Sequence, residues 1–328
     1  MRAKYLTNKS IFFNWQTLFL VLTYFAIRIL SFKSAPHIYP QAVLVFIVLL
    51  IFATLYYKNQ NLALYMLLGE LFLGGAGHFF EFLGLSIRTI LFSVFAVLWF
   101  IQTISNDKKE MFNFPKKLYF LLIIFGIFLI FSAINGIYNN HGIKPVIQDI
   151  IPYGFFLLIF PLYHLFEKKE NQDYLTRLIS AFLIGSAVFS LFTFVLFSSG
   201  AEYLQSPYYK WFRDIAMGKI TDMGYEFFRI VTPEHLLSVP LILLLSSFLM
   251  GKKPHHKIWW LLLILALLIL ILDFSRIYLL ALGAGLLVLK YKHNWKKWFF
   301  VNFSVFFYYN CSIWRHQHDC QPRPIHWP

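Results

Sequence analysis

Cysteine is almost missing from this chain. Only Cys311 and Cys320 occur, both near the end of the sequence, so no disulfide framework can organise the body of the fold. Acidic residues are scarce, 15 in 328, and all charged residues together make up 13%, where soluble domains carry about 25%. That shortage excludes an ordinary water-soluble domain. No A-x-A cleavage site follows the first apolar run, so residues 11–30 read as a retained helix rather than a removed signal. Nor is there one dense basic patch. The 29 Lys and Arg against 15 Asp and Glu give a net charge of +14, but they lie in short clusters between apolar runs, which excludes a nucleic-acid surface. No internal repeat is visible.

What is there is apolar sequence. Hydrophobic residues make up 59% of the chain, the mean hydropathy is +0.63, and stretches near the roughly 20 residues of a bilayer crossing recur along it. The expected spans are 11–30, 39–57, 62–84, 87–104, 118–137, 147–166, 175–198, 233–250, 257–272, 274–290 and 298–310. They predict an all-α, polytopic transmembrane bundle of about eleven helices over residues 1–310. With the N-terminus cytoplasmic, the loops on that side hold 18 Lys and Arg and the opposite loops hold 9. Every short basic loop then falls on one side, as topology signals do.

The longest connection, 200–232, lies on the outer side in this scheme and is rich in aromatics. Long loops often carry function, and interface aromatics are the competing reading. After residue 310 the pattern breaks into CSIWRHQHDCQPRPIHWP, which reads as an irregular tail from an interrupted or shifted frame. Cys311, His316, His318 and Cys320 have zinc-ligand chemistry but unfamiliar spacing, so no metal site is expected.

Ionisable groups at membrane depth are costly and therefore informative. In GELFLGGAGHFFEFLG a continuous helix would place Glu70, Gly74, Gly77, Glu81 and Gly84 on one face, with His78 at its edge. Close packing through small residues is one reading; Glu81 or His78 as a general base for a sugar hydroxyl is the other. In ILDFSRIYLLALG, Asp273, Ser275 and Arg276 fall where one apolar span ends and the next begins. Free N–H groups, a helix dipole and a guanidinium at that corner suit an anion. Helix capping by Asp273 or Ser275 with a snorkelling Arg276 is the structural competitor. Arg229 lies four residues before Pro233, which starts the next span behind Thr232. Two arginines at adjacent helix starts suit a diphosphate, because Arg binds phosphate oxygens bidentately and keeps its charge.

At these residues, FFRIVTPEHLLSVPLILLL through GKKPHHK to LDFSRIYLL, the sequence resembles the O-antigen ligase and O-antigen polymerase superfamily of bacterial envelope proteins. The close resemblance covers about 225–290. Arg229, Pro233, Ser275 and Arg276 match the family pattern, whereas Glu234 and His235 stand where an Asn-containing motif is usual. Family members continue into a large external loop with an important His, which this chain does not supply, so the resemblance is to a C-terminally truncated member. It implies metal-independent, cofactor-free glycosyl transfer in the cytoplasmic (inner) membrane, with undecaprenyl-diphosphate-linked glycan as donor, membrane lipid around it and other polysaccharide-assembly proteins as partners. Arg229, Arg276 and Ser275 would bind the diphosphate, and Glu81 or His235 would deprotonate the acceptor. A transporter or flippase of an anionic or lipid-linked substrate would use the same charged residues without chemistry.

Overall fold

The computed structural model describes residues 14–34, 37–75, 77–82, 84–105, 115–224, 227–250, 258–273 and 275–292; for Ile38, Lys117, Lys169, Arg276 and residues 290–292 it describes the backbone alone. The expected span 298–310 and the tail with its cysteines lie outside the described residues. The described chain is a helical protein with two small hairpins, and it divides into two compact units. One takes residues up to Phe46, Leu68–Ile87 and residues from Tyr174 onward; the other takes Ile47–Leu67 and Arg88–Asp173.

The first helices follow the apolar pattern closely. They are α1 (Trp15–Ser34), α2 (Ile38–Lys58) and α3 (Gln60–Leu73). The sequence predicts that the third helix runs on to 84, and it does not. After Gly74 closes the last turn onto the Glu70 carbonyl at 2.8 Å, Gly75 and Gly77 adopt φ of +62° and +84°, the left-handed geometry that ends helices. The chain then forms a hairpin of β1 (Glu81–Phe82) and β2 (Leu85–Ser86) around Gly84 at φ +77°. Glu70 and Glu81 therefore share no helix face.

In the second unit α4 (Ile87–Ser105) precedes α5 (Lys116–Tyr138). The next crossing is broken: α6 (Ile143–Gly154) contains Pro152, a short 3-10 turn covers Phe155–Leu158, and α7 (Ile159–Leu165) follows. Pro161, near the start of α7, has no N–H for the Leu157 carbonyl and its ring crowds that turn, which accounts for the 3-10 stretch just before it. Aromatic rings fill this unit, with Phe92 stacked on Phe155 at 4.4 Å and Phe125 against Phe156 at 4.8 Å.

The first unit resumes within α8 (Lys169–Ser198). Its buried Ser186, Ser190 and Thr193 recur at helical spacing on one face, and small residues there let α1 approach closely. A Cβ at Gly185 would come within 2.7 Å of the Tyr24 ring. The stretch expected to be a long loop is structured: α9 (Pro207–Asp214) starts with Ser206 accepting the Tyr209 N–H at 3.1 Å and Pro207 in the first turn. Then β3 (Lys219–Asp222) pairs antiparallel with β4 (Phe228–Val231), Thr221 opposite Arg229. A 3-10 turn over Pro233–Leu237 leads into α10 (Ser238–Leu249), which packs with α11 (Ile258–Asp273) and α12 (Arg276–Lys292).

Among the described residues, six helical segments are long and apolar enough to cross a membrane: Trp15–Ser34, Tyr39–Lys58, Ile87–Ser105, Leu118–Tyr138, Ile143–Leu165 and Glu170–Ser198. Four shorter apolar helices, at Gln60–Leu73, Pro233–Leu249, Ile258–Asp273 and Ile277–Leu289, fall below the length of a full crossing.

Candidate functional site

The site grows from the place where a strand becomes a helix. Alternation along β4 buries Ile230 completely and leaves the Arg229 side chain 30% exposed. Thr232 continues extended, and Pro233 then starts the 3-10 turn. Within that turn the His235 N–H donates to the Thr232 carbonyl at 3.0 Å, and Ser238 Oγ donates to the His235 carbonyl at 2.7 Å. The turn thus fixes the backbone beneath His235, whose side chain is 0% exposed.

Across from it lies the end of α11. Asp273 is its last residue, and its side chain is also 0% exposed. Arg229 Nε donates to the Asp273 backbone carbonyl at 2.5 Å, and Arg229 Nη2 lies 3.5 Å from Asp273 Oδ1. A guanidinium thereby satisfies one of the carbonyls that a helix C-terminus leaves open. His235 Nδ1 is 3.5 Å from the same Oδ1 and 3.4 Å from the Thr232 amide nitrogen. The Thr232 N–H donates to Nδ1 and forms one half of a capping box at the head of the turn, whereas the approach to Oδ1 is an ion-pair distance and not a hydrogen bond. His235 Nε2 and Asp273 Oδ2 join Thr232 Oγ1, Arg28 Nε and Ser246 Oγ among the buried side-chain atoms that have no hydrogen-bond partner within the described residues.

The neighbouring side chain carries a second charge pair. Glu234 is buried and accepts from Nη2 of Arg28 on α1. Arg28 Nη1 also donates to the carbonyls of Tyr24 and Leu73, each at 3.0 Å, and its guanidinium lies 3.3 Å from the centre of the Tyr24 ring. Phe79 and Phe189 each lie 5.1 Å from it.

The sequence-derived candidates scatter unevenly around this centre. Arg229, His235 and Asp273 come together, and Ser275 sits half-buried two residues beyond Asp273, its carbonyl accepting the Leu279 N–H at 3.3 Å. Arg276 begins α12, three residues past the Asp273 carbonyl that Arg229 grips; its side chain lies outside the described residues. Glu81 stands apart. It is exposed on β1 and pairs with His78 at 2.6 Å, and among the described residues no hydrogen bond or ion pair joins it to His235.

Three partners were not legible as such. Asp273 reads in sequence as a cap for the following helix, whereas it closes the preceding one. Glu234 reads as a departure from a motif. Arg28 had one usable signal, a charge inside an apolar span. Around the centre, α9 supplies a wall of Tyr208, Trp211 and Phe212, with Trp211 Nε1 donating to Ser31 Oγ at 3.1 Å. Burial pushes the Tyr208 phenol up to about 12. On the exposed side of α9, Arg213 binds Asp214 through two contacts of 2.7 and 3.0 Å and holds its carboxyl below the usual carboxylate range.

Comparison with protein-family models, with curated proteins and with solved structures finds no match to this chain.

Proposed function

We propose that this protein is a membrane glycosyltransferase of the O-antigen ligase or polymerase type. It transfers or polymerises undecaprenyl-diphosphate-linked glycan at the outer face of the bacterial cytoplasmic membrane, with its N-terminus in the cytoplasm. The observation that carries this reading is the meeting of Arg229 with Asp273 and His235 at the α11–α12 corner, where two buried polar atoms have no partner. The six apolar segments and the bias of basic loops, 18 against 9, support the membrane setting and its orientation.

In this reading Arg229 and Arg276 hold the donor diphosphate, with Ser275 and the opening turn of α12 as further donors. In the catalytic state of this proposal the His235 proton moves to Nδ1, toward Asp273, which frees the Nε2 lone pair to accept the proton of an acceptor sugar hydroxyl. The hydroxyl oxygen bonds to the anomeric carbon as the carbon–oxygen bond to the diphosphate breaks. The bond pair leaves on the diphosphate, where the guanidiniums stabilise the growing charge. The anomeric centre inverts. His235 replaces Glu81 as the preferred base because it is buried beside Asp273, whereas Glu81 is exposed and engaged by His78.

Expression in hosts lacking their own polymerase or ligase tests this directly. Restored long-chain glycan that disappears in Arg229→Ala and Arg276→Ala, at unchanged protein level, is the expected result. Substrate movement with no change in chain length would overturn it in favour of a transporter.

A further inference from the structure

We propose that the buried Arg28–Glu234 pair is the positioning device for His235, an inference that rests on the reading of His235 as the proton acceptor. Glu234 and His235 are consecutive residues of one 3-10 turn, and each is gripped from a different element. Arg28 of α1 holds Glu234; Asp273 of α11 faces His235. The backbone that carries the imidazole is thereby pinned on its neighbouring residue by a carboxylate whose partner is itself held. Arg28 is held by the Tyr24 and Leu73 carbonyls and by the Tyr24 ring face.

Leu73 closes α3, where the Gly74–Gly77 turn leaves a terminal carbonyl without a helical donor. One guanidinium therefore ties the end of α3, the body of α1 and the turn that carries His235. The approach is close: a Cβ at Gly75 would lie 3.4 Å from Glu234 Oε1 and 2.8 Å from the Phe79 ring. Buried ion pairs add little stability over a well-packed apolar pair, so stability alone does not account for carrying this one. Holding a reacting group in place does, because a displacement of about 1 Å at a reacting centre costs on the order of 10²-fold in rate.

The test is a double-mutant cycle on purified, reconstituted protein with a lipid-linked donor. Replacing both charges together, Arg28→Met with Glu234→Gln, leaves no buried charge unpaired. The expected result is a kcat lower by on the order of 10²-fold with the donor KM unchanged, since Arg229 and Arg276 are untouched. The loss should vanish when the double change is made in a His235→Gln background, because groups acting through one residue are not additive. Full kcat in the double variant, or losses that simply add, would overturn the proposal and assign the pair a structural role. Arg28→Lys serves as a second variant should the double form fail to accumulate: it keeps the charge and loses the fork, so the same kcat loss and the same non-additivity are expected. Unimpaired transfer by His235→Gln itself would sink the assignment of the base, and absence of transfer by the wild-type protein would sink the proposed function; the positioning role falls with either. Intact His235 dependence with an unaffected Arg28–Glu234 variant would sink the positioning role alone.

Discussion

The two units are built from the same apolar alphabet and use it differently. In the unit holding α1, α8 and α10–α12, Arg28, Glu234, His235 and Asp273 are all buried. In the unit holding α4–α7, the buried polar residues among those described are Thr103 and Asn171, neither of them ionisable. Thr103 bonds back to the Trp99 carbonyl at 2.7 Å, which leaves the helix self-sufficient. That unit carries a half-open apolar pocket of about 370 Å³ lined by Phe92, Phe95, Ala96, Trp99, Leu158 and Phe160 among others. Among the described residues, the buried charged and imidazole side chains thus all lie in the first unit. A buried charge requires an exact partner; a buried ring requires only a neighbour of fitting shape.

The contrast is sharpest at Asp273. Asp273→Asn keeps the shape and removes the charge that faces both His235 and Arg229, so the proposed transfer should fall by about 10²–10³-fold, read from glycan chain length and in-vitro turnover at equal protein level. Packing differs too. Gly185→Val would force a side chain onto the Tyr24 ring and should cost about 2–3 kcal/mol, measured as a shift in the denaturant midpoint of the detergent-solubilised protein.

Tyr208 offers a pH test of the same unit. Its phenol rises from 10.0 to about 12 because it is buried, so the folded state holds a proton that the unfolded state releases. The associated stability is fully present below pH 10 and declines as pH rises toward 12. A loss of about 1–2 kcal/mol over that window, absent in Tyr208→Phe, is expected from alkaline unfolding followed by fluorescence. The smallest effect belongs to the other unit: Ala96→Leu fills part of the apolar pocket and should raise stability by about 0.5 kcal/mol while leaving transfer unchanged. A large loss of transfer there would erase the division of labour.

Much of the helical layout was legible because lipid-length apolar runs announce themselves. α2, α4, α5, α11 and α12 begin and end within two residues of the expected spans. Errors came from backbone geometry. A hydropathy pattern carries no φ, so Gly75 and Gly77 could end α3 eleven residues early without any change of polarity. Likewise Pro161 breaks one apolar run at the 3-10 turn before it. Site legibility followed sequence distance. The Arg229 and Ser275–Arg276 motifs stand out locally, whereas the His78–Glu81 pair emerged only with the hairpin. Arg28 and Glu234 are 206 residues apart, and nothing local in either stretch names the other.

One helix leads to a prediction about the surroundings rather than the protein. α5 runs 23 residues and no residue in its apolar window is buried, so at 1.5 Å per residue it is about 34 Å long, a little more than a typical hydrocarbon slab. Such a rod relieves its excess by leaning, and with so little packing to hold it, bilayer thickness sets the lean. In vesicles of graded chain length this segment should reorient first, reporting the membrane it sits in while the charged centre keeps its shape.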